Sequence, residues 1–251
     1  MTKDLQKKML EYIQIQKTVT TGELCDKFNI SESSSRRFLQ KMSDQGKIQR
    51  FHGGAIFLED EDSSEIQKRY HVCEKEKESI AKKAAELIKP NTTIILLGGT
   101  TVYRICKYIK HMKLTVITNS MIVFKELQSS KGIQLVLLGG EYNRDEEELC
   151  GVLTNNNSKL FACDHLFFGA AGYIRNTGFT TSDMNSLQMY SECMALAKQV
   201  TLVFDSSKFE ERGKAITVNN KELTYLITDS KIKDVYVNEL KKAHVQVIVA
   251  D

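Results

Sequence analysis

Seven short apolar runs, separated by stretches of helical spacing, limit most tightly what this chain can fold into. The runs are TTIILL, LTVIT, IQLVLLGG, DHLFFGA, VTLVF, TYLIT and VQVIV, all between residues 92 and 249. Most are rich in β-branched residues, and none alternates apolar with polar as a half-solvated strand would. Residues 76 to 89, 100 to 111, 120 to 129 and 152 to 161 between them read as helices, and Pro90, the only proline, ends the first of these before the first run. Strands buried on both faces and joined through helices predict an α/β domain, a mainly parallel sheet with helices on both faces.

The first fifth of the chain has a different period. Leu5, Met9, Tyr12 and Ile13 fall on one helical face that ends near Lys17. Thr20 and Glu23 form a T-x-x-E capping box for a second helix, whose face of Leu24, Cys25 and Phe28 runs to Asn29. Ser31 caps a third helix, with Ser35, Phe38, Leu39 and Met42 on one side and Ser33, Arg37, Gln40 and Asp44 on the other. Gly46 stops it, and KIQRFHGGAIFL reads as two strands turning at Gly53 and Gly54. Three helices and a hairpin predict a winged helix-turn-helix over residues 1 to 57. The acidic stretch EDEDSSE, residues 59 to 65, lacks apolar residues and predicts a linker over 58 to 74, with the α/β domain at 75 to 251.

Charge follows the same division. The net charge is +3, yet residues 1 to 55 hold ten Lys and Arg against six Asp and Glu, so the basic character is confined to the helix-turn-helix. The six cysteines show no C-x-x-C pair and read as reduced thiols, and no apolar run is long enough to span a bilayer. The charged start MTKDLQKKML is unlike a signal peptide, so a cytoplasmic protein without a membrane partner is expected.

A recognition helix presents short polar and Arg or Gln side chains to base edges, with basic residues beside them for phosphate. Ser33, Arg37 and Gln40 fit the first role, Ser34, Arg36 and Lys41 the second, and Arg50 and His52 in the wing are placed for backbone or minor groove. Double-stranded DNA is the partner this pattern predicts; a three-helix bundle with a solvated basic face is the plainer alternative. In the α/β domain, ligands are expected at the C-terminal ends of the strands. Gly98-Gly99-Thr100-Thr101 joins a strand to a helix, where amides and hydroxyls cradle phosphate. Asn119 and Ser120, then Gly139, Gly140 and Glu141, and Gly169 with Ala170 to Gly172, occupy equivalent places. Lys208, after Asp205-Ser206-Ser207, supplies a point charge to the same edge. The five histidines have no spacing suited to a metal or a catalytic triad, and His165 beside an apolar strand reads as structural, so neither cofactor nor metal is expected.

Together these residues resemble the DeoR family of sugar-metabolism regulators over nearly the whole chain. The marks are Ser31 to Leu39 with Arg36-Arg37, the wing sequence Arg50 to Ala55, Glu76-Lys77 with Ile80-Ala81, Gly99-Thr100-Thr101, Thr118-Asn119-Ser120, Leu138-Gly139-Gly140, and Asp205 to Phe209. The resemblance implies a repressor, at least a dimer, whose larger domain resembles ribose-5-phosphate isomerase and binds a phosphorylated sugar. Some positions depart from it. Leu97 stands where the family carries an aspartate, Ser35 replaces an isoleucine and Phe38 an aspartate, and Ser186, Gln188 and Tyr190 replace an acidic and basic pattern. Two other functions remain open: a sugar-phosphate isomerase or deaminase, with Glu141 or Asp183 as its base, and a regulator without small-molecule sensing.

Overall fold

Each helix of the N-terminal segment begins at a side chain that its own sequence supplies. The computed structural model describes residues 2–51, 53–57, 64–70 and 72–251, and the chain divides into two units, 1–63 and 64–251. In the first unit α1 spans Lys3–Gln16, and Thr2 Oγ1 accepts the Leu5 N–H at 3.3 Å. After β1, Thr18–Thr20, comes α2, Thr21–Phe28. Its capping box is closed: Thr20 Oγ1 accepts the Glu23 N–H at 3.2 Å, and Glu23 Oε2 accepts the Thr20 N–H at 2.7 Å. Asn29 ends α2 in the left-handed region, and Ser31 Oγ accepts the Ser34 N–H at 3.3 Å to start α3, Glu32–Asp44.

The three helices enclose one small core. Met9, Ile13, Leu24, Phe38 and Leu39 are at most 1% exposed, joined by Val19 and Ile48. Ser35 is also wholly buried, and its Oγ has no hydrogen-bond partner, so the apolar volume at the centre of α3 comes from Phe38. The wing strands are β2, Ile48–Phe51, and β3, Gly54–Phe57. β1 was not expected from the sequence; it pairs antiparallel with β3, making a three-stranded sheet in the order β1-β3-β2.

The second unit opens with α4, Glu65–Arg69, and α5, Glu74–Ala85. Residues 58–63, the start of the expected linker, lie outside the described residues. Residues 64 to 74 already belong to the second unit: Ile66 is fully buried, and its N–H donates to the Asp145 carbonyl at 2.8 Å.

There follow β4 (Thr93–Leu96), α6 (Thr100–Ile109), β5 (Leu114–Thr118), α7 (Met121–Leu127) and β6 (Ile133–Leu137). A hairpin, β7 (Glu141–Asn143) and β8 (Glu148–Cys150), leads into α8 (Gly151–Ser158) and β9 (His165–Phe168). The remainder is β10 (Gly172–Ile174), β11 (Gly178–Thr181), α9 (Leu187–Leu196), β12 (Val200–Val203), β13 (Ala215–Asn219), β14 (Tyr225–Asp229), α10 (Asp234–Lys242) and β15 (Gln246–Ala250). The seven apolar runs of the sequence are the seven strands of one all-parallel sheet, ordered β15-β14-β12-β9-β4-β5-β6.

Both faces of that sheet are covered, as runs apolar on both sides require. Ile94 and Leu96 face α5, α6 and α7 through Ile80, Val102, Ile105 and Val123. Ile95 and Leu97 face the other way, toward Met189 and Cys193 of α9 and Leu240 of α10. The antiparallel sheet β10-β11-β13 packs on this second face through Tyr173, Phe179 and Val218. Chain order in the parallel sheet reverses at β4: the chain runs outward through β5 and β6, then returns to β9 on the other side of β4. Connections that leave two adjacent strands in opposite directions open a crevice above their C-terminal ends.

The first unit, with so few fully buried side chains, depends on Phe38. Phe38→Ala is expected to destabilise it by about 3 to 5 kcal/mol. Urea denaturation followed by hydrogen exchange should show α3 amides losing protection while those of the parallel sheet keep theirs; loss of protection in both would contradict two independent cores.

Candidate functional site

The outward face of α3 is a row of exposed polar side chains with Arg37 at its centre. Arg37 makes no hydrogen bond or ion pair with any described residue, so its guanidinium is free to engage a ligand. Its neighbours are tied. Arg36 pairs with Glu32 at 2.5 Å along the helix, and Lys41 Nζ donates to Gln6 Oε1 at 2.8 Å. Ser33 and Ser34 both bond the Ser31 hydroxyl, at 3.0 and 2.9 Å, at the start of the helix. Arg50 of the wing donates to Gln40 Oε1 at 2.7 Å, while Gln40 Nε2 donates to Asp44. The β2–β3 hairpin and α3 thus present Arg50 and Gln40 as one unit. His52 lies outside the described residues.

In the second unit the crevice between β4 and β9 is an open cleft lined by Gly98 to Val102, Gly169 to Ala171 and Lys208. One wall is the turn from β4 into α6. Gly99 holds φ +119°, a backbone state that favours glycine, and no side chain caps the helix it starts. The first-turn amides, with Thr100 and Thr101 beside them, therefore offer unoccupied donors at a positive helix end. The opposite wall is Gly169 to Ala171 after β9. From the turn after β12, Lys208 reaches in, donating to the Ala170 carbonyl at 3.2 Å with Asp205 Oδ2 at 3.6 Å; its burial holds its pKa below the usual lysine value.

Gly99, Thr100, Thr101, Gly169 and Lys208 are thus brought together, as the strand-end rule predicts. Five other residues named from the sequence are not in the cleft. Asn119 and Ser120 are 0% exposed; the Asn119 amide donates to Glu148 Oε2 at 3.0 Å and to the Leu149 carbonyl at 3.2 Å, so it supports the cleft from behind. Gly139, Gly140 and Glu141 follow β6, the far edge strand, and lead into the β7–β8 hairpin, where Thr154 Oγ1 donates to the Gly139 carbonyl at 2.6 Å. Leu97 is buried in the core on the α9 face.

The cleft is also lined by Arg69, Glu146 and Glu148, which the sequence does not single out, and by Asp183 and Tyr190, which it names in other roles. Arg69, at the end of α4, pairs with Glu146, and its carbonyl accepts from Lys77 Nζ at 2.7 Å. Burial lowers the pKa of Lys77 to about 8. Asp183 is held by the Asn185 N–H at 3.0 Å and the Ser186 hydroxyl at 2.5 Å, and Tyr190 closes the floor against Phe168. Glu148 is the most unusual. It is 6% exposed, and an ideal Cβ on Gly98 would lie 1.4 Å from its Oε1, so its carboxyl occupies the space that glycine leaves open. Desolvation, then the charge of Glu146, pushes its pKa up to about 8; the Asn119 hydrogen bond pulls the other way, and Asp183 adds to the rise. Only the glycine pair before α6 hinted at this site in the sequence, since Glu146 and Glu148 arrive on a hairpin distant along the chain.

Because the folded pKa of Glu148 lies above its ordinary 4.5, the folded state binds the proton more tightly. That stabilisation is full below the ordinary pKa and is lost as pH rises through about 8. Between those limits the second unit should lose at most about 1.4 kcal/mol per pH unit through this group. Urea midpoints at pH 5, 6.5 and 8 should fall more steeply for wild type than for Glu148→Gln, and parallel curves would refute the assignment.

The family model of the DeoR C terminal sensor domain matches residues 72–230, and that of the DeoR-like helix-turn-helix domain matches residues 6–61. The chain is 32% identical over 241 residues to the lactose phosphotransferase system repressor of Lactococcus lactis subsp. lactis, covering 94% of each. It is 25% identical over 252 residues to the putative aga operon transcriptional repressor of Escherichia coli O157:H7, covering 99% of this chain and 94% of that one. Ribose 5-phosphate isomerase A from Neisseria gonorrhoeae is similar over 53% of this chain and 52% of that one, at 17% identity and a TM-score of 0.39.

Proposed function

This chain belongs to the DeoR family of transcriptional regulators, and from that premise we propose that it represses carbohydrate-metabolism genes under the control of a phosphorylated sugar. The observation that carries the sensing half is the uncapped start of α6, which opens with Lys208 into the cleft at the sheet's switch point. Backbone amides and a lysine there suit a phosphate, and Arg69 adds a guanidinium at the rim. The relatives named as repressors of lactose phosphotransferase and aga genes support the carbohydrate assignment.

In the first unit α3 enters the major groove, with Ser33, Arg37 and Gln40 toward base edges, Ser34, Arg36 and Lys41 toward the phosphates, and Arg50 reaching the backbone or minor groove from beside Gln40. One such module has a small contact area, so the protein acts as at least a dimer on a two-fold operator. The sugar phosphate controls binding by favouring one arrangement of the protein over another, and a differential of about 1 to 3 kcal/mol suffices.

Catalysis is the weaker reading. Both oxygens of Asp183 already accept hydrogen bonds, and Glu141 is exposed outside the cleft, so neither carboxylate named as a base is free beside the phosphate cradle. Turnover of a sugar phosphate that is lost in Asp183→Asn would reverse this view.

Selection from a randomised duplex pool, with and without a panel of sugar phosphates, tests both halves together; enrichment of a motif that no sugar phosphate alters would remove the sensing half. On the selected site Arg37→Ala is expected to weaken binding by about 1 to 3 kcal/mol and relax preference at one base position. Lys41→Ala should weaken all sequences alike and flatten the log–log salt slope by about one unit. Unchanged selectivity in Arg37→Ala would exclude its base contact.

A further inference from the structure

The charges lining the cleft do not match a simple sugar phosphate. Two cations face it, Arg69 and Lys208, against the carboxylates of Glu146 and Asp183 and the Glu148 carboxyl, which ionises only when a cation joins it. Arg69 is already engaged by Glu146, and Lys208 has the Asp205 carboxylate 3.6 Å away. A phosphate monoester brings about 1.5 to 2 further negative charges. The helix start offsets only part of that.

Glu148 makes the mismatch specific. Its Oε2 accepts from Asn119 at 3.0 Å, while its Oε1, against Gly98, has no hydrogen-bond donor or ion-pair partner among the described residues. The adjoining Asn119 Oδ1 is likewise buried without a donor. Of the two, only the Glu148 carboxyl lines the cleft, and its open Oε1 calls for a donor-rich group. An ammonium offers three donors and no acceptor, and its positive charge balances the carboxyls; a hydroxyl brings one donor, lone pairs of its own and no charge. Because Glu148 lies directly against the loop that starts α6, a small ligand can reach both the anion cradle and this acceptor.

We propose that the cleft selects phosphorylated sugars that carry an amino group, with the phosphate at the start of α6 and the ammonium held by Glu148. This rests on the reading of the cleft as a sugar-phosphate site and names the class of sugar. Glu148 is ionised when the ammonium is in place, and the proton it carried leaves to solvent.

Titration calorimetry on the full-length protein tests it with two matched pairs: glucosamine 6-phosphate against glucose 6-phosphate, and galactosamine 6-phosphate against galactose 6-phosphate. The amino member of at least one pair is expected to bind about ten- to a hundredfold tighter, the range of a hydrogen-bonded charge pair. In Glu148→Gln that ratio should fall to within about threefold of unity, because the charge is gone while the shape is kept. Should the variant fold poorly, the wild-type ratios still decide. Equal or tighter binding of the hydroxyl member in both pairs overturns the amine assignment and leaves the sugar-phosphate reading intact. An undiminished ratio in a folded Glu148→Gln removes the role given to Glu148. Binding of none of the four, and none of inorganic phosphate, brings down the sugar-phosphate reading and this inference with it.

Discussion

The second unit depends on the pairing of β4 with β9. These two parallel strands are neighbours in space, yet the chain visits β5 and β6 before it returns, so the connections after β4 and β9 leave on different sides. No helix can cover the gap between them, and the backbone ends there with amides facing outward. Gly98 to Thr101 on one side and Gly169 to Ala171 on the other are the immediate consequence. Everything else in the cleft, from Lys208 to the hairpin carrying Glu148, is arranged around that opening.

Such an opening also explains the concentration of awkward charges. Lys77, 1% exposed, is held by the Arg69 carbonyl, and it fixes the backbone from which Arg69 meets Glu146. Glu148 is buried without a cation of its own, and Lys208 is buried beside Asp205. Burying ionisable groups in this way opposes folding, and such groups concentrate at functional sites. The large apolar clusters on the two faces of the sheet are what allow a fold to carry such groups.

Periodicity made the two architectures legible before any coordinates. Period 3.6 in residues 3 to 44, with caps at Thr20 and Ser31, marked the three helices, because capping is decided within four residues. Unbroken apolar runs marked the seven strands, because a strand covered on both faces has no polar side to show. The pieces that escaped are those whose partners are remote. β1 is three residues that become a strand only on meeting β3, and β10, β11 and β13 form a sheet from segments spread over residues 172 to 219. Their exposed or short patterns carry no local signal strong enough to compete with a loop.

The cleft was half legible for the same reason. Strand ends predict where a ligand binds, and they named Gly99, Thr100, Gly169 and Lys208, but they also named Gly139 to Glu141, because a strand-end rule applied without strand order cannot tell an edge strand from the switch point. Charge was the part out of reach. Leu97, where the resemblance led one to expect a carboxylate, faces the core beside Ile95, as alternation along β4 requires. The carboxyl in the cleft comes instead from Glu148, 51 residues later, and it fits only because position 98 has no side chain. Leu97 and Glu148 have no relation along the chain; the Gly98–Glu148 contact brings the acid to the place beside Leu97. If the cleft binds as proposed, its selectivity lies in the hairpin 141–150, which pairs outside the parallel sheet, while the phosphate site at the start of α6 is set by the sheet itself.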